Sequence, residues 1–206
     1  MDYEKAMLGR FLQEYGNMFS EKVKEYIVRH FFDDKEDRIN IISQIRGLYG
    51  MDCFYEDRYQ LLFNELKNDF DLNCNVLEVG SGFFSIMAHY VDNYQQKGSI
   101  TAIDPNIIDK NVGNIIIKKE KFDALKYNGN YDFIFGISPC SATNEIILSA
   151  NIHKKPFMIA LCGCVNYGDS KDIIEYVNET KCDDAIVEVK YVDYLSYPII
   201  EKKFLK

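Results

Sequence analysis

The sequence predicts an α/β fold in which a mostly parallel sheet follows an N-terminal stretch of helices. A short apolar strand at about residues 75–79 leads into glycines and then into a helical pattern. From Asn75 onward, candidate strands and helices alternate, which is typical of a parallel sheet with helices on its faces. The last two candidate strands are joined by a segment too short for a crossover, and they are therefore expected to run antiparallel.

Residues 1–70 are predicted to be helical. Apolar residues recur at helical spacing in the first helix: Met7, Phe11 and Tyr15. Ser20 is a candidate N-cap of the second helix, and Asp33–Asp34 can cap a third, which is expected to end at Gly50. A fourth helix is predicted at 56–70. Its apolar stripe needs a surface to cover, so we expect the helices to pack on the sheet.

Seven strands are predicted, at about residues 75–79, 99–104, 114–118, 131–137, 156–162, 185–194 and 197–205. Helical spacing covers 83–96 after the first strand, and 170–180 is predicted to be a helix between strands five and six. About nine residues separate strands two and three. We therefore expect a short crossover there, without a full helix. A tight turn at Ser196 is expected to join the last two strands.

Composition limits the classes of function. The 206 residues suffice for one α/β domain with an appendage, and 47% hydrophobic with 27% charged residues are values of a globular protein. A formal net charge of −8 argues against nucleic acid as a partner, although it permits a local basic patch. There is no apolar run of membrane-spanning length, and the N-terminus does not resemble a signal peptide. Six cysteines without a C-x-x-C pair indicate free thiols and a cytoplasmic location.

Two stretches are candidates for ligand binding. In Asn75–Ser85, NVLEVGSGFFS, the glycines allow close approach of the backbone, and the following helix presents its N-terminus. The alternative is a plain turn between strand and helix. Asp104 ends the second strand, where doubly wound sheets bind a ribose. The alternative is an exposed turn acid before Pro105.

The turn does not match a dinucleotide site. That fingerprint has three glycines, and Ser85 stands in place of the third. Glu78 lies two residues before Gly80, where its carboxylate would repel a pyrophosphate. A ligand that carries a sulfonium and an ammonium group, such as S-adenosylmethionine, tolerates this acid far better.

The segment VLEVGSG resembles the first motif of the class I S-adenosylmethionine-dependent methyltransferases. That motif consists of a hydrophobic pair, an acid and spaced glycines. The chain is a divergent case, because Phe84 replaces the third glycine. The resemblance implies a Rossmann-like, mostly parallel seven-stranded sheet with an antiparallel C-terminal strand pair. It implies S-adenosylmethionine as the cofactor, bound by residues 71–206. The helical extension 1–70 would then act as a lid.

The resemblance also implies roles for individual residues. Glu78 would face the methionine ammonium, and the glycine turn would let the backbone approach. Asp104 would bind both ribose hydroxyls, Phe122 would pack on the adenine, and Asp123 would accept from the adenine amino group. For Asp123, a helix cap is the alternative. The predicted cofactor-binding residues are Glu78, Gly80, Ser81, Gly82, Asp104, Phe122, Asp123 and Ser138.

Cysteines and a proline lie at the predicted ends of strands four and five. Ser138–Pro139–Cys140 stands where amino-methylating relatives carry an Asn/Asp-Pro-Pro-aromatic motif, and it shares only its position and one proline. Cys140, Cys162 and Cys164 could bind a soft metal, supply a nucleophile or pack as ordinary free thiols. We expect no metal, because the spacing lacks a second ligand pair.

The leading hypothesis is a methyltransferase that acts on a small molecule or a protein side chain. No general base is identifiable in the sequence. This does not argue against the hypothesis, because methyl transfer from a sulfonium needs mainly in-line positioning of the acceptor. The first alternative is a catalytically silent Rossmann-like module that binds a nucleoside ligand or a protein partner. An NAD-dependent oxidoreductase fits Asp104 but not Glu78. Three tyrosines would contribute to the lid: Tyr49, Tyr55 and Tyr59.

Overall fold

A computed structural model describes residues 2–49, 58–107, 114–162 and 170–204. The helices are α1 (Asp2–Tyr15), α2 (Glu21–Asp33), α3 (Lys35–Tyr49), α4 (Arg58–Asp69), α5 (Ile86–Tyr94), α6 (Thr143–Ile152) and α7 (Ser170–Thr180). The strands are β1 (Asn75–Val79), β2 (Ser99–Ile103), β3 (Ile116–Lys118), β4 (Phe133–Ile137), β5 (Phe157–Ala160), β6 (Ala185–Lys190) and β7 (Ile199–Phe204). No helix within the described ranges is long and apolar enough to span a membrane.

The strands form one seven-stranded sheet in the order β3-β2-β1-β4-β5-β7-β6. β7 is antiparallel to both of its neighbours, and the other strands share one direction. This confirms the predicted antiparallel C-terminal pair. The predicted tight turn at Ser196 is wrong, because β6 ends at Lys190 and β7 begins at Ile199. Every residue of β4 and β5 is buried, as expected for central strands that are covered on both faces. The strand order reverses between β1 and β4, and ligands bind at such a reversal in open α/β sheets.

The turn after β1 differs from its prediction. Helical spacing begins at Phe83 in the sequence, but α5 begins at Ile86. Ser85 has a φ of 50°, in the left-handed region, and so it cannot continue a right-handed helix toward Phe83. Phe83 and Phe84 therefore belong to the turn.

The first three helices share an aromatic core with that turn. The predicted caps are present: the Val23 N–H donates to Ser20 Oγ at 3.4 Å, and Asp34 Oδ1 accepts from the first turn of α3. The Phe84 ring lies 4.5 Å from the Phe11 ring and 6.0 Å from the Phe19 ring, between centroids. The extension is thus packed on the glycine turn. Gly50, the predicted end of α3, lies outside the described residues.

Helix α4 is attached to the sheet itself. Leu62 and Leu66 are buried in the core cluster that contains residues of β1, β2 and β4. At the far end of α4, Asp69 Oδ1 accepts from Lys203 Nζ of β7 at 3.0 Å. The same lysine lies 2.8 Å from Glu201, which is fully buried. This ion-pair network ties the C-terminal end of α4 to β7, whereas residues at its N-terminal end, Arg58 and Tyr59, line the cleft described below.

Candidate functional site

A cleft of about 580 Å³ lies at the carboxyl ends of β1, β2 and β4. The sheet side supplies Val79, Gly80, Gly82, Ile103, Asp104, Pro105, Asn106, Lys121 and Phe122. The last residue of β4, Ile137, and the segment after it supply Ile137 to Ala142. The helices α3 and α4 supply Ser43, Gln44, Arg58, Tyr59 and Leu62. Leu195, between β6 and β7, completes the wall. Five of the eight predicted cofactor residues therefore meet in one cleft: Gly80, Gly82, Asp104, Phe122 and Ser138.

The backbone N–H groups of the glycine turn are used inside the protein. The N–H groups of Gly80 and Ser81 donate to the Ile103 carbonyl at 2.9 and 3.3 Å. The Gly82 N–H donates to Asp104 Oδ2 at 3.0 Å. A turn with these donors already engaged is a poor cradle for a phosphate, which needs free N–H groups.

Both glycines are favoured by conformation, and Gly80 is required by space as well. Gly80 and Gly82 have φ values of 72° and 67°, a region that side chains disfavour. A Cβ on Gly80 would lie 3.0 Å from Pro139 Cα, and a Cβ on Gly82 would lie 2.2 Å from Gln44 Oε1. The space beside Gly82 is therefore occupied by α3, whereas Gly80 is packed against the segment after β4.

Asp104 is fixed at the end of β2. Its Oδ1 accepts from the Asn106 N–H at 2.7 Å, and its Oδ2 accepts from the Gly82 N–H. Each carboxylate oxygen has two acceptor sites, so each keeps one for a ligand. The carboxylate therefore lines the cleft in a defined position and can accept from a pair of hydroxyls.

Glu78 lies under the turn and does not line the cleft. Burial raises the pKa of its carboxyl to about 8. A backbone hydrogen bond from Ala88 lowers this pKa, and the charge of Asp104 raises it further. Its Oε2 atom has no hydrogen-bond partner among the described residues. A buried carboxyl oxygen without a partner is costly, and a cationic group nearby would satisfy it.

The remaining predicted residues differ in placement. Ser81 is buried, and its Oγ has no hydrogen-bond partner among the described residues. Phe122 is buried and faces both the cleft and a neighbouring cavity of about 650 Å³. Asp123 lines only that second cavity, where Lys126 lies 2.6 Å away and holds the pKa of the Asp123 carboxyl below its usual value. Asp123 Oδ1 also accepts from the Leu125 N–H, a local turn rather than a helix cap.

The helical side of the cleft contains residues that the sequence did not single out. Ser43, Gln44 and Arg58 line it together with Tyr59. Of the three predicted lid tyrosines, Tyr59 is in place, Tyr55 lies outside the described residues, and the side chain of Tyr49 is likewise not described. No local pattern marks Ser43 or Gln44, because a polar residue on a helix has the same spacing whether it faces solvent or a cleft.

Two of the three predicted cysteines are neighbours. The Sγ atoms of Cys140 and Cys162 are 3.4 Å apart, and Cys140 also lines the cleft. Cys164 lies outside the described residues. Within the described ranges, no three or more His, Cys, Asp or Glu side chains are grouped as metal ligands.

Comparisons with known proteins identify the fold. No protein-family model matches the chain, and no curated protein matches it in sequence. A solved magnesium protoporphyrin IX methyltransferase from Synechocystis PCC 6803, with bound SAM, is 13% identical with a TM-score of 0.55. The alignment covers 86% of this chain and 95% of that one.

Two further solved structures give the same result. The plantazolicin methyltransferase BpumL in complex with SAH is 10% identical over 95% of this chain and 98% of that one, with a TM-score of 0.54. A ribosomal protein L11 methylase from Lactobacillus delbrueckii subsp. bulgaricus is 11% identical over 73% and 80%, with a TM-score of 0.52. The chain thus has the fold of the class I methyltransferases, as the glycine motif implied.

Proposed function

We propose that this protein is an S-adenosylmethionine-dependent methyltransferase that binds its cofactor in the cleft at the ends of β1, β2 and β4. The observation that carries the proposal is the bond from the Gly82 N–H to Asp104 Oδ2 at 3.0 Å. This bond joins the glycine turn and the acid of the second strand in one cleft, at the reversal of the strand order. The solved structures of the same fold include complexes with SAM and SAH.

The charge distribution favours this cofactor over a dinucleotide. The three N–H groups of the turn are engaged internally, so the turn offers little to a pyrophosphate. Glu78 Oε2 is buried without a hydrogen-bond partner among the described residues, and Asp104 lies beside the turn. An ammonium or sulfonium group in the cleft would be stabilised by the Asp104 carboxylate, and by Glu78 beneath the turn if binding releases the Glu78 proton.

The residues of the cleft divide into roles by their chemistry. When bound, the cofactor supplies an electrophilic methyl group on a sulfonium. Asp104 would accept hydrogen bonds from the ribose hydroxyls, and the Phe122 ring would cover the adenine. Gly80, without a side chain, lets Pro139 pack on the turn and would keep the wall of the cleft closed there. Ser138 would lie on the far wall, beside the position of the methyl acceptor.

The acceptor would occupy the space between the segment after β4 and the helices α3 and α4. Gln44, Tyr59 and Ser141 line this space and offer amide and hydroxyl groups for orientation. In-line positioning of the acceptor would supply most of the rate acceleration. The acceptor is a small molecule or a side chain, and the roof made by α3 and α4 would act as the lid.

The second candidate is a binding module without catalysis. Phe83 and Phe84 stand where methyltransferases of this type continue their glycine motif, and both rings are buried in the helical core. A turn whose second half is used for packing could still hold a nucleoside after the protein has lost methyl-transfer activity.

Calorimetry with S-adenosylhomocysteine, adenosine and NAD would test the two readings. We expect S-adenosylhomocysteine to bind, adenosine to bind more weakly, and NAD not to bind. Equal affinity for adenosine and S-adenosylhomocysteine would favour the nucleoside module, because the methionine portion would then add nothing. Binding of NAD alone would contradict both. Transfer of a labelled methyl group from S-adenosylmethionine to metabolite and protein fractions would then establish catalysis.

A further inference from the structure

Two thiols meet where neighbouring parallel strands end. β4 and β5 are hydrogen-bonded with Ile137 opposite Ala160, and Cys140 and Cys162 follow these two residues at similar distances along the chain. Their Sγ atoms lie 3.4 Å apart, and both side chains are partly exposed. The register of the sheet therefore brings them together.

We propose that Cys140 and Cys162 form a reversible disulfide, and that its formation alters the cleft at the glycine turn. The oxidant would be a peroxide. One thiolate attacks the peroxide oxygen, which gives a sulfenic acid and releases water or an alcohol. The second thiolate then displaces hydroxide from that sulfur, and hydroxide leaves as water after protonation. Two thiols and one hydrogen peroxide give one disulfide and two waters.

The local geometry supports formation of this bond. A disulfide has an S–S length of about 2.05 Å, so the sulfur atoms would approach each other by about 1.3 Å from their present 3.4 Å. Cys140 has a φ of 47°, in the left-handed region, and it begins a single 3₁₀ turn, Cys140–Ala142, after β4. Its thiol donates to the Ser138 carbonyl at 3.3 Å. Oxidation would remove this hydrogen bond and release the Ser138 carbonyl.

A shift of Cys140 would be transmitted to the cleft. Cys140 lines the cleft, and the preceding Pro139 is packed so closely on Gly80 that a Cβ there would lie 3.0 Å from Pro139 Cα. Close-packed neighbours cannot move independently. The proposed effect of the disulfide on the cleft rests on the proposed cofactor site, whereas formation of the disulfide does not.

The chain contains internal controls for thiol reactivity. Cys74 donates to the Asp71 carbonyl at 3.1 Å, and burial raises the pKa of its thiol to about 11. The thiolate is the reactive form, so Cys74 is expected to resist peroxide near neutral pH. Cys182 is a partly exposed cysteine outside the cleft. A disulfide formed within the cytosol is typically transient and regulatory.

The first experiment maps disulfides in the full-length protein. The protein is treated with hydrogen peroxide, blocked with an alkylating agent and digested without reduction. We expect a peptide pair that joins Cys140 to Cys162, which dithiothreitol reverses. Cys162→Ser should abolish the pair, and the control Cys74→Ser should retain it. The same pair should form in Cys164→Ser. A bond from either thiol to Cys164 instead, or only sulfinic acids, would overturn the proposal.

The second experiment measures binding of S-adenosylhomocysteine to the reduced and the oxidised protein. We expect oxidation to weaken binding by about tenfold, through displacement of a positioned wall, and peroxide to have no effect on the affinity of Cys162→Ser. Equal affinity of both forms would overturn the link to the cleft. If the reduced protein does not bind this ligand, the proposed function fails, and the disulfide is judged by the peptide map alone.

Discussion

The turn between β1 and α5 has two halves that contact different parts of the molecule. Gly80 and Gly82 lie at the cleft and are held by β2 through Ile103 and Asp104. Phe83 and Phe84 turn away from the cleft into the core of the first three helices. The glycine half lines the cleft. The phenylalanine half attaches the helical extension, and its rings stand where the glycine motif would continue.

The two halves are connected through α3. Gln44 lies against Gly82, and Ile41, Ile42 and Ile45 of the same helix are buried in the core that holds Phe84. One helix therefore contacts both the cleft and the aromatic core. The extension should contribute to stability and to the shape of the cleft at once, and variants in each half of the turn can separate these contributions.

Removal of the helices should have the largest effect. A chain that begins near Leu72 would expose Phe83, Phe84 and the sheet face that α4 covers. Such an apolar surface promotes aggregation, so we expect an insoluble or partly unfolded product. Solubility and circular dichroism would measure this outcome. A folded, ligand-binding product would show that residues 1–70 form a separate domain.

Phe84→Ala should strongly lower the free energy of unfolding. The ring is buried and contacts the rings of Phe11 and Phe19, and its loss is expected to cost about 3–5 kcal/mol. Urea denaturation would measure the change. Leu125→Ala is a suitable control, because Leu125 is 77% exposed and its truncation should change stability by less than about 0.5 kcal/mol. A small effect of Phe84→Ala would mean that the extension is anchored elsewhere.

Asp104→Ala should weaken binding of S-adenosylhomocysteine by about 1.5–3 kcal/mol, because it removes hydrogen bonds to a charged group. Calorimetry would measure the affinity. Asp123→Ala is the matched control, since the Asp123 carboxylate is engaged with Lys126 outside the cleft. An equal loss of affinity in Asp123→Ala would support the contact between Asp123 and the adenine that the resemblance implies. Unchanged affinity in Asp104→Ala would rule out the ribose assignment.

Glu78 should make stability depend on pH. Its pKa of about 8 in the folded protein exceeds the value of 4.5 of an unperturbed glutamate. The folded state therefore binds more protons between these values, and this contribution to stability is lost as the pH rises from about 4.5 to 8. The slope cannot exceed about 1.4 kcal/mol per pH unit for one group.

Thermal denaturation of the wild type and Glu78→Gln across this pH range would measure how stability changes with pH. The variant should lack the decrease in stability expected for the wild type. If Glu78 also serves a ligand ammonium, S-adenosylhomocysteine should release a proton on binding near pH 7. Calorimetry in buffers of different ionisation enthalpy would detect that proton. A wild type and a variant with the same pH dependence would show that Glu78 is charged in the folded protein.

Much of the sheet could be predicted because its determinants are local. β1 and β4 are short apolar runs bounded by turns, and the short link before β7 left only an antiparallel pairing. Asp104 and the glycines were found because chain direction places the ends of parallel strands at one edge. The start of α5 was missed because helical spacing extends to Phe83, while the left-handed φ of Ser85 has no signature in the sequence.

The sequence by itself determined the α/β class, the antiparallel end of the sheet and the acids and glycines at its carboxyl edge, because alternation, spacing and chain length are properties of neighbouring residues. Only the tertiary structure decided which surfaces meet. It turned Phe83 and Phe84 into the helical core, placed Gln44 against Gly82, separated Asp123 from the cleft and paired Cys140 with Cys162. These are contacts between distant residues, which depend on how helices and strand ends pack and leave no periodicity in the chain.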